Sequence, residues 1–318
     1  MLLHGLYGNF SIGYPAAVAA AGCFAFNSYL FSHAGKYIGS DGVTHIRLWI
    51  AFGLNTLIHL CLFGHILPYD ASTKAWFYLS ISGIVGYVIG DSMGFEALLR
   101  LGAHPTSVVQ TTSPIFALLM AYFFFNERLN YFQFSGILLV ILGILLVLHD
   151  RRKKFQHPKH LCLLPASQQR WSRSGILLAI GSSFCQAAGI VLSKMGMQGS
   201  GISASSANVI RIVAATTGAF LIHLYLKRVS IQLKKVFTHR RAARQLLLGS
   251  LLGPVSGVIF LLYAISTISV GIASTLSQTT PVMLLFITHY LEKEHVGKTA
   301  IIGTFVAFSG ATVLFLGK

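Results

Sequence analysis

Residues 110–143 read QTTSPIFALLMAYFFFNERLNYFQFSGILLVILG, and residues 277–310 read SQTTPVMLLFITHYLEKEHVGKTAIIGTFVAFSG. The two stretches belong to a longer alignment, residues 86–148 against 253–315, that needs no gap at an offset of 167. The pairs Gly86/Gly253, Gly90/Gly257, Ala97/Ala264, Ser107/Ser274, Thr112/Thr279, Pro114/Pro281, Glu127/Glu294, Gly136/Gly303 and Gly143/Gly310 are identical. Upstream, Ile46-Arg47 with Ile58-His59-Leu60 recurs as Ile210-Arg211 with Ile222-His223-Leu224 at an offset of 164. A repeat of this length in a strongly apolar chain predicts two copies of a membrane bundle, the usual construction of a secondary transporter.

Composition supports a membrane protein. Hydrophobic residues make up 54% of the 318 residues, charged residues only 10%, and the mean hydropathy is +0.69. A soluble chain of this size carries many more charges on its surface. The apolar residues fall into blocks of about twenty, the length that crosses a hydrocarbon core. Ten spans are predicted, at 13–33, 43–63, 76–98, 105–125, 131–148, 175–195, 206–226, 245–266, 271–291 and 298–316. Gly, Ser, Thr and Ala are frequent inside them, which suits close helix packing in lipid.

The net charge of +16 does not point to nucleic acid, because the basic residues sit in connectors. Seven of the 24 Lys and Arg lie in 149–174 and seven more in 227–244. Basic connectors mark the cytoplasmic face and meet anionic lipid headgroups. The four cysteines, Cys23, Cys61, Cys162 and Cys185, have neither metal-ligand spacing nor the pattern of a disulfide framework. No metal or other cofactor is expected. No basic residue precedes the first apolar run, so the N-terminus reads as a poor signal peptide.

Each half holds five spans: residues 1–148 form the first repeat, 149–174 a basic linker, and 175–318 the second repeat. Five is odd, so the halves enter the membrane with opposite orientations. The expected fold is therefore an all-α membrane protein of ten transmembrane helices, built from two inverted five-helix repeats. The 149–174 and 227–244 loops are two crossings apart and share a side, which carries 19 basic residues against 5 on the other. The positive-inside rule puts that side in the cytoplasm and both termini outside.

The run from Gln110 through Pro114 to Asn126-Glu127-Arg128, followed by Gly136 and Gly143, resembles the drug/metabolite transporter superfamily, in particular its EamA-type ten-helix members. Its second copy runs from Gln278 through Pro281 to Glu292-Lys293-Glu294, then Gly303 and Gly310. Arg47 and Arg211 fit the arginine that such proteins carry early in the second helix of each half. The resemblance implies a multi-pass transporter of the cell (inner) membrane. It also implies both termini in the cytoplasm, against the charge count. A reporter active only in the cytoplasm, fused to the C-terminus, decides between the two.

Pro114 and Pro281 cannot donate, so each frees a carbonyl four residues earlier, at Gln110 and Ser277. Free backbone oxygen at membrane depth is tolerated where it is buried in protein or lines a wet cavity. Gln110, Thr111, Thr112, Ser113 and Pro114, with Ser277, Gln278, Thr279, Thr280 and Pro281, are therefore expected to form two substrate-binding walls facing a central pocket. The bland alternative is that these hydroxyls bond back to their own helices. Among the aromatics Phe26, Tyr29, Tyr87, Phe95, Phe260 and Tyr263, Tyr263 is taken as a further substrate contact.

Asp91, in Gly90-Asp91-Ser92-Met93-Gly94, is the proton-coupling candidate, because a carboxylate inside a span usually faces a cavity or a partner. Its repeat position in the second half is Val258, so the site is single; pairing with Arg47 is the structural alternative. Glu96 and Arg100 have the order and spacing of a helix ion pair. Arg47 and Arg211 can clamp a carboxylate or snorkel to headgroups, and Lys194 can do either. His59 and His223 read as interhelical hydrogen bonders. Glu127 and Glu294 read as markers of helix ends.

These features favour a secondary transporter, an exporter of a small organic metabolite or drug, working by alternating access with membrane lipids and protons as its other partners. There is no nucleotide-binding motif. A membrane enzyme modifying a lipid-linked substrate needs clustered acids and histidines, and the eight acids are scattered. A non-transporting scaffold leaves the duplicated polar break without a purpose.

Overall fold

The computed structural model describes residues 12–101, 106, 109–155, 173–225, 239–292 and 297–316. The 149–174 linker and the 227–244 loop fall largely outside the described residues, as does Glu294. The first two spans are one helical run, α1 (Gly13–Phe63), broken at Gly39. Gly39 has φ 79°, which a glycine adopts without a Cβ clash, and two helical segments meet there at a kink.

The third span is composite: α2 (Thr73–Gly83), a π-helical turn at Ile84–Gly90, then α3 (Asp91–Leu101). α4 (Ser113–Phe125) and α5 (Tyr131–Phe155) complete the first half. The second half runs α6 (Arg173–Met197), α7 (Ala204–Tyr225), α8 (Arg240–Ser250), a π-helical turn at Leu251–Gly257, and α9 (Val258–Thr267). α10 (Val270–Ser277) and α11 (Thr280–Glu292) form the ninth span, and α12 (Lys298–Leu316) the tenth. Large apolar side chains such as Phe123, Leu177 and Phe305 project from the outside of the bundle, while Ser182, Asn208 and Arg211 are buried within it. A chain with this distribution meets hydrocarbon outside and keeps its polar groups for itself.

The inversion is visible in the packing of α5 on α12. A Cβ placed on Gly143 would lie 2.6 Å from the carbonyl oxygen of Gly303, and one on Gly303 would lie 2.7 Å from that of Gly143. Gly136 and Gly310 approach each other in the same reciprocal way, at 3.0 and 2.8 Å. In the repeat Gly136 corresponds to Gly303, and Gly143 to Gly310. Each residue therefore touches the counterpart of the other, which is the signature of a two-fold axis across antiparallel helices. The same axis relates the cross-packing of span two on span eight to that of span seven on span three.

Backbone irregularities obey the repeat as well. The π-helical turns at Ile84–Gly90 and Leu251–Gly257 lie 167 residues apart. So do the turns at 111–112 and 278–279 that interrupt spans four and nine. π-Helical insertions are rare and concentrate at functional sites.

Candidate functional site

The prolines do not kink continuous helices. Pro114 stands in the first turn of α4 and Pro281 in the first turn of α11, each just after a break. Proline is favoured there because the missing N–H has no intrahelical acceptor. The hydroxyls nearby serve their own chain. Thr112 Oγ1 donates to the Val109 carbonyl at 2.7 Å, Thr279 Oγ1 to Leu276 at 2.8 Å, Ser277 Oγ to Ser274 at 2.9 Å and Thr280 Oγ1 to Ser277 at 2.8 Å. The Ser277 carbonyl, expected to be freed by Pro281, is thus capped by Thr280.

The two breaks are positioned by different neighbours. Around the first, Ser183 Oγ reaches the Val109 carbonyl at 3.3 Å. The Gln110 amide packs towards Gly94, and Thr111, Ser113 and Pro114 are buried. The second leans on span one, where Thr280 Oγ1 reaches Ala21 at 3.5 Å. Gln278 is half-buried. Spans four and nine do meet, with Gly271 of α10 set against Leu118 of α4. A cavity of about 270 Å³ flanks Thr279, Val282 and Met283 between spans one, nine and ten, with a mainly apolar lining that includes Pro15, Val18 and Phe308. Tyr263, Phe26 and Phe260 are exposed on the flanks of the bundle, Tyr29 stacks on His33, and the Phe95 and His223 side chains lie outside the described residues.

The densest polar cluster lies elsewhere, where spans two, three, six, seven and eight meet. Asp91 opens α3 directly after the π-helical turn. It is ion-paired with Arg47 and accepts a hydrogen bond from Gln186 Nε2 at 2.9 Å. The side chains of this pair are only 11% (Arg47) and 16% (Asp91) exposed. Arg211 lies over the ring of Tyr87, its guanidinium carbon 5.1 Å from the centroid. The Tyr87 hydroxyl donates to Asn208 Oδ1 at 3.4 Å. The Asn208 amide donates in turn to Asn55 Oδ1 and to the Pro254 carbonyl, both at 2.9 Å. Pro254 sits in the second π-helical turn, so Asn208 satisfies a carbonyl of that irregular backbone. Ser182 Oγ does the same for the Gly90 carbonyl of the first, at 2.8 Å. Arg47 and Arg211 are both buried inside the bundle; neither snorkels to headgroups.

Gln186, Asn55 and Asn208 escaped the reading of the sequence. The signal was present, since each is an amide inside an apolar span. None belongs to a duplicated motif, and none carries a charge that would make it conspicuous in a span.

A second, half-buried tie joins Lys194 and Glu127, which the sequence alone does not bring together. Lys194, at the end of α6, donates to Glu127 Oε1 at 2.6 Å. The other carboxylate oxygen, Oε2, accepts from the Val270 N–H at 3.0 Å, the first residue of α10. Glu127 therefore clamps spans four, six and nine, and the carboxylate sits at a helix N-terminus, where the backbone favours it. Glu127→Gln is expected to cost about 2 kcal/mol, read as a lower midpoint in thermal unfolding of the purified protein. Lys194→Met combined with Glu127→Met should restore part of it; no recovery would show that the pair is not what the single change broke. His59 makes the interhelical bond expected of it, to Ser206 Oγ at 3.0 Å, and Glu96 pairs with Arg100 at 2.8 Å on the exposed end of α3. Among the described residues no group of His, Cys, Asp and Glu has metal-binding geometry.

A model of the EamA-like transporter family matches residues 11–149 and 173–316. No curated protein matches the chain in sequence. A solved protein crystal structure superposes with a TM-score of 0.71 over 96% of this chain and 96% of its own, at 16% identity. That likeness carries the fold.

Proposed function

The chain belongs to the EamA-like transporter family, a family of membrane transporters, and from that premise we propose that it exports a small organic solute across the cell membrane by alternating access. The observation that carries the mechanism is the reciprocal glycine crossing of α5 and α12, with paired backbone breaks on either side of it. Two inverted halves have two equivalent ways of packing, one open to each face, and exchange between them around a fixed site moves a solute without a through-pore. The solute leaves chemically unchanged.

In this proposal the breaks at 111–112 and 278–279 and the two π-helical turns are the places where spans bend. Gln110, Thr111, Thr112, Ser113 and Pro114, with Ser277, Gln278, Thr279, Thr280, Pro281 and Tyr263, meet the solute as the walls part. Hydroxyls bonded to their own backbone exchange partners at small cost. The basic connectors face the cytoplasm, leaving both termini outside.

Asp91 couples transport to protons. Its bond to Arg47 ties span two to span three beside the first π-helical turn. A proton on Asp91 removes the charge that holds Arg47 and loosens that tie, and its release restores it. In proteoliposomes with an imposed pH gradient, Asp91→Asn is expected to abolish the dependence of flux on the gradient. Flux that still follows the gradient would remove Asp91 from the coupling role and leave uncoupled exchange as the mechanism.

A further inference from the structure

Arg211 has no role in the coupling scheme, and its surroundings are unusual. It is 5% exposed, and among the described residues nothing accepts a hydrogen bond from its guanidinium; Nε is buried without a partner. The Tyr87 ring offers a π face but no formal charge. Buried charges in proteins are normally paired, because desolvation of an isolated ion is costly. The other half of the molecule shows what is missing. There, Arg47 meets the carboxylate of Asp91, but at the repeat position of Asp91 the second half carries Val258, an apolar buried residue.

The neighbours cannot make up the difference. Both Asp91 oxygens are engaged, one by Arg47 and one by Gln186. The Asn208 amide is used on both its nitrogen and its oxygen. Two guanidiniums thus stand against one carboxylate in a buried cluster, leaving one positive charge in excess. The absence of a side chain at Gly86 of span three leaves the guanidinium its place: the Arg211 Nη2 lies 3.5 Å from where a Cβ of Gly86 would be.

We infer that Arg211 is the anchor of the transported solute, and that the solute is a small organic monoanion held through a carboxylate. A planar guanidinium takes a carboxylate through two parallel hydrogen bonds, and a single negative charge balances the cluster. The inference deepens the transport reading and rests on it.

The test is thermal unfolding of the purified full-length protein with acetate, lactate, benzoate and indole-3-acetate, each compared with its neutral amide. At least one acid is expected to raise the midpoint by on the order of 5 °C at saturation, with its amide inert. Arg211→Met is expected to be at least as stable as the parent without ligand, and to lose the response. It gives up the contact with the Tyr87 ring but, among the described residues, breaks no hydrogen bond or ion pair, and it removes an uncompensated buried charge. Val258→Asp, which supplies an internal carboxylate, is expected to raise the unliganded midpoint and to suppress the response. The inference is overturned if no acid shifts the midpoint or if acid and amide shift it equally. It is equally overturned if Arg211→Met keeps the response or is markedly less stable than the parent. Proteoliposome flux separates the two levels. Transport of a neutral or cationic solute with no anion effect would remove the anion site and keep the transporter. Anion stabilisation without flux of any solute would support the site and remove the transport reading.

Discussion

Asp91→Leu is expected to destabilise the protein by about 3–5 kcal/mol, the range for removing one partner of a buried ion pair. In a chain of this size that lowers the thermal midpoint by on the order of 10 °C. The loss is not the attraction alone. Arg47 keeps its charge inside the bundle, Gln186 loses its acceptor, and Arg211 now shares the cluster with a second uncompensated cation. The double change Arg47→Met with Asp91→Leu removes the buried charge together with its partner and is expected to recover most of the midpoint, because a buried pair and an apolar pair of similar volume are close in free energy. Single and double variants that melt together would mean that the pair does not govern this junction. The double variant should remain folded and yet be unable to respond to a proton gradient, which separates the structural share of the pair from its transport share.

Gly143→Leu is expected to cost about 3 kcal/mol and to splay α5 from α12. The Gly143 side of α5 faces the Gly303 carbonyl and the Ala307 backbone, and rigid backbone cannot yield as a side-chain tip can. Gly310→Leu should cost the same within error, since the two-fold axis gives it the equivalent surroundings: Val140 N and the Gly136 carbonyl. Gly22 is the control; a Cβ there meets nothing within 4 Å, so Gly22→Ala should be close to neutral. Thermal unfolding of the three variants checks the set. Unequal losses at Gly143 and Gly310 would argue against the pseudo-symmetric crossing, and a loss at Gly22 would show that these helices resent any added carbon.

Much of the architecture is legible without coordinates. Apolar blocks of membrane length give the number of spans, and their odd number per half gives the inversion. Gly136, Gly143, Gly303 and Gly310 announce a close crossing, although only the structure shows that they cross each other. Pro114 and Pro281 announce breaks, and the breaks are there, but as helix starts with self-bonded hydroxyls. The polar cluster was half legible. Asp91 with Arg47 is a pair the sequence suggests; the roles of the amides Gln186, Asn55 and Asn208, and the bond between Lys194 and Glu127, emerge only from the packing. Repetition finds what both halves share. Around the shared arginines, Arg47 and Arg211, the cluster is built from what the halves do not share: Asp91 against Val258, Tyr87 against Pro254.

The membrane class, the ten spans, the two-fold duplication and its inverted sense are all written in the linear chain, because they follow from the hydropathy, length and parity of local segments. Which buried polar groups meet is settled in three dimensions, by the packing of the helices. That depends on how far each helix is rotated and tilted, and on one-residue insertions such as the π-helical turns at Ile84–Gly90 and Leu251–Gly257, which shift every later side chain on their helix by about 100°, slightly more than a quarter turn. A local pattern carries no record of such a rotation; it is set when five helices settle against one another and leave Arg47 with a carboxylate and Arg211 without one.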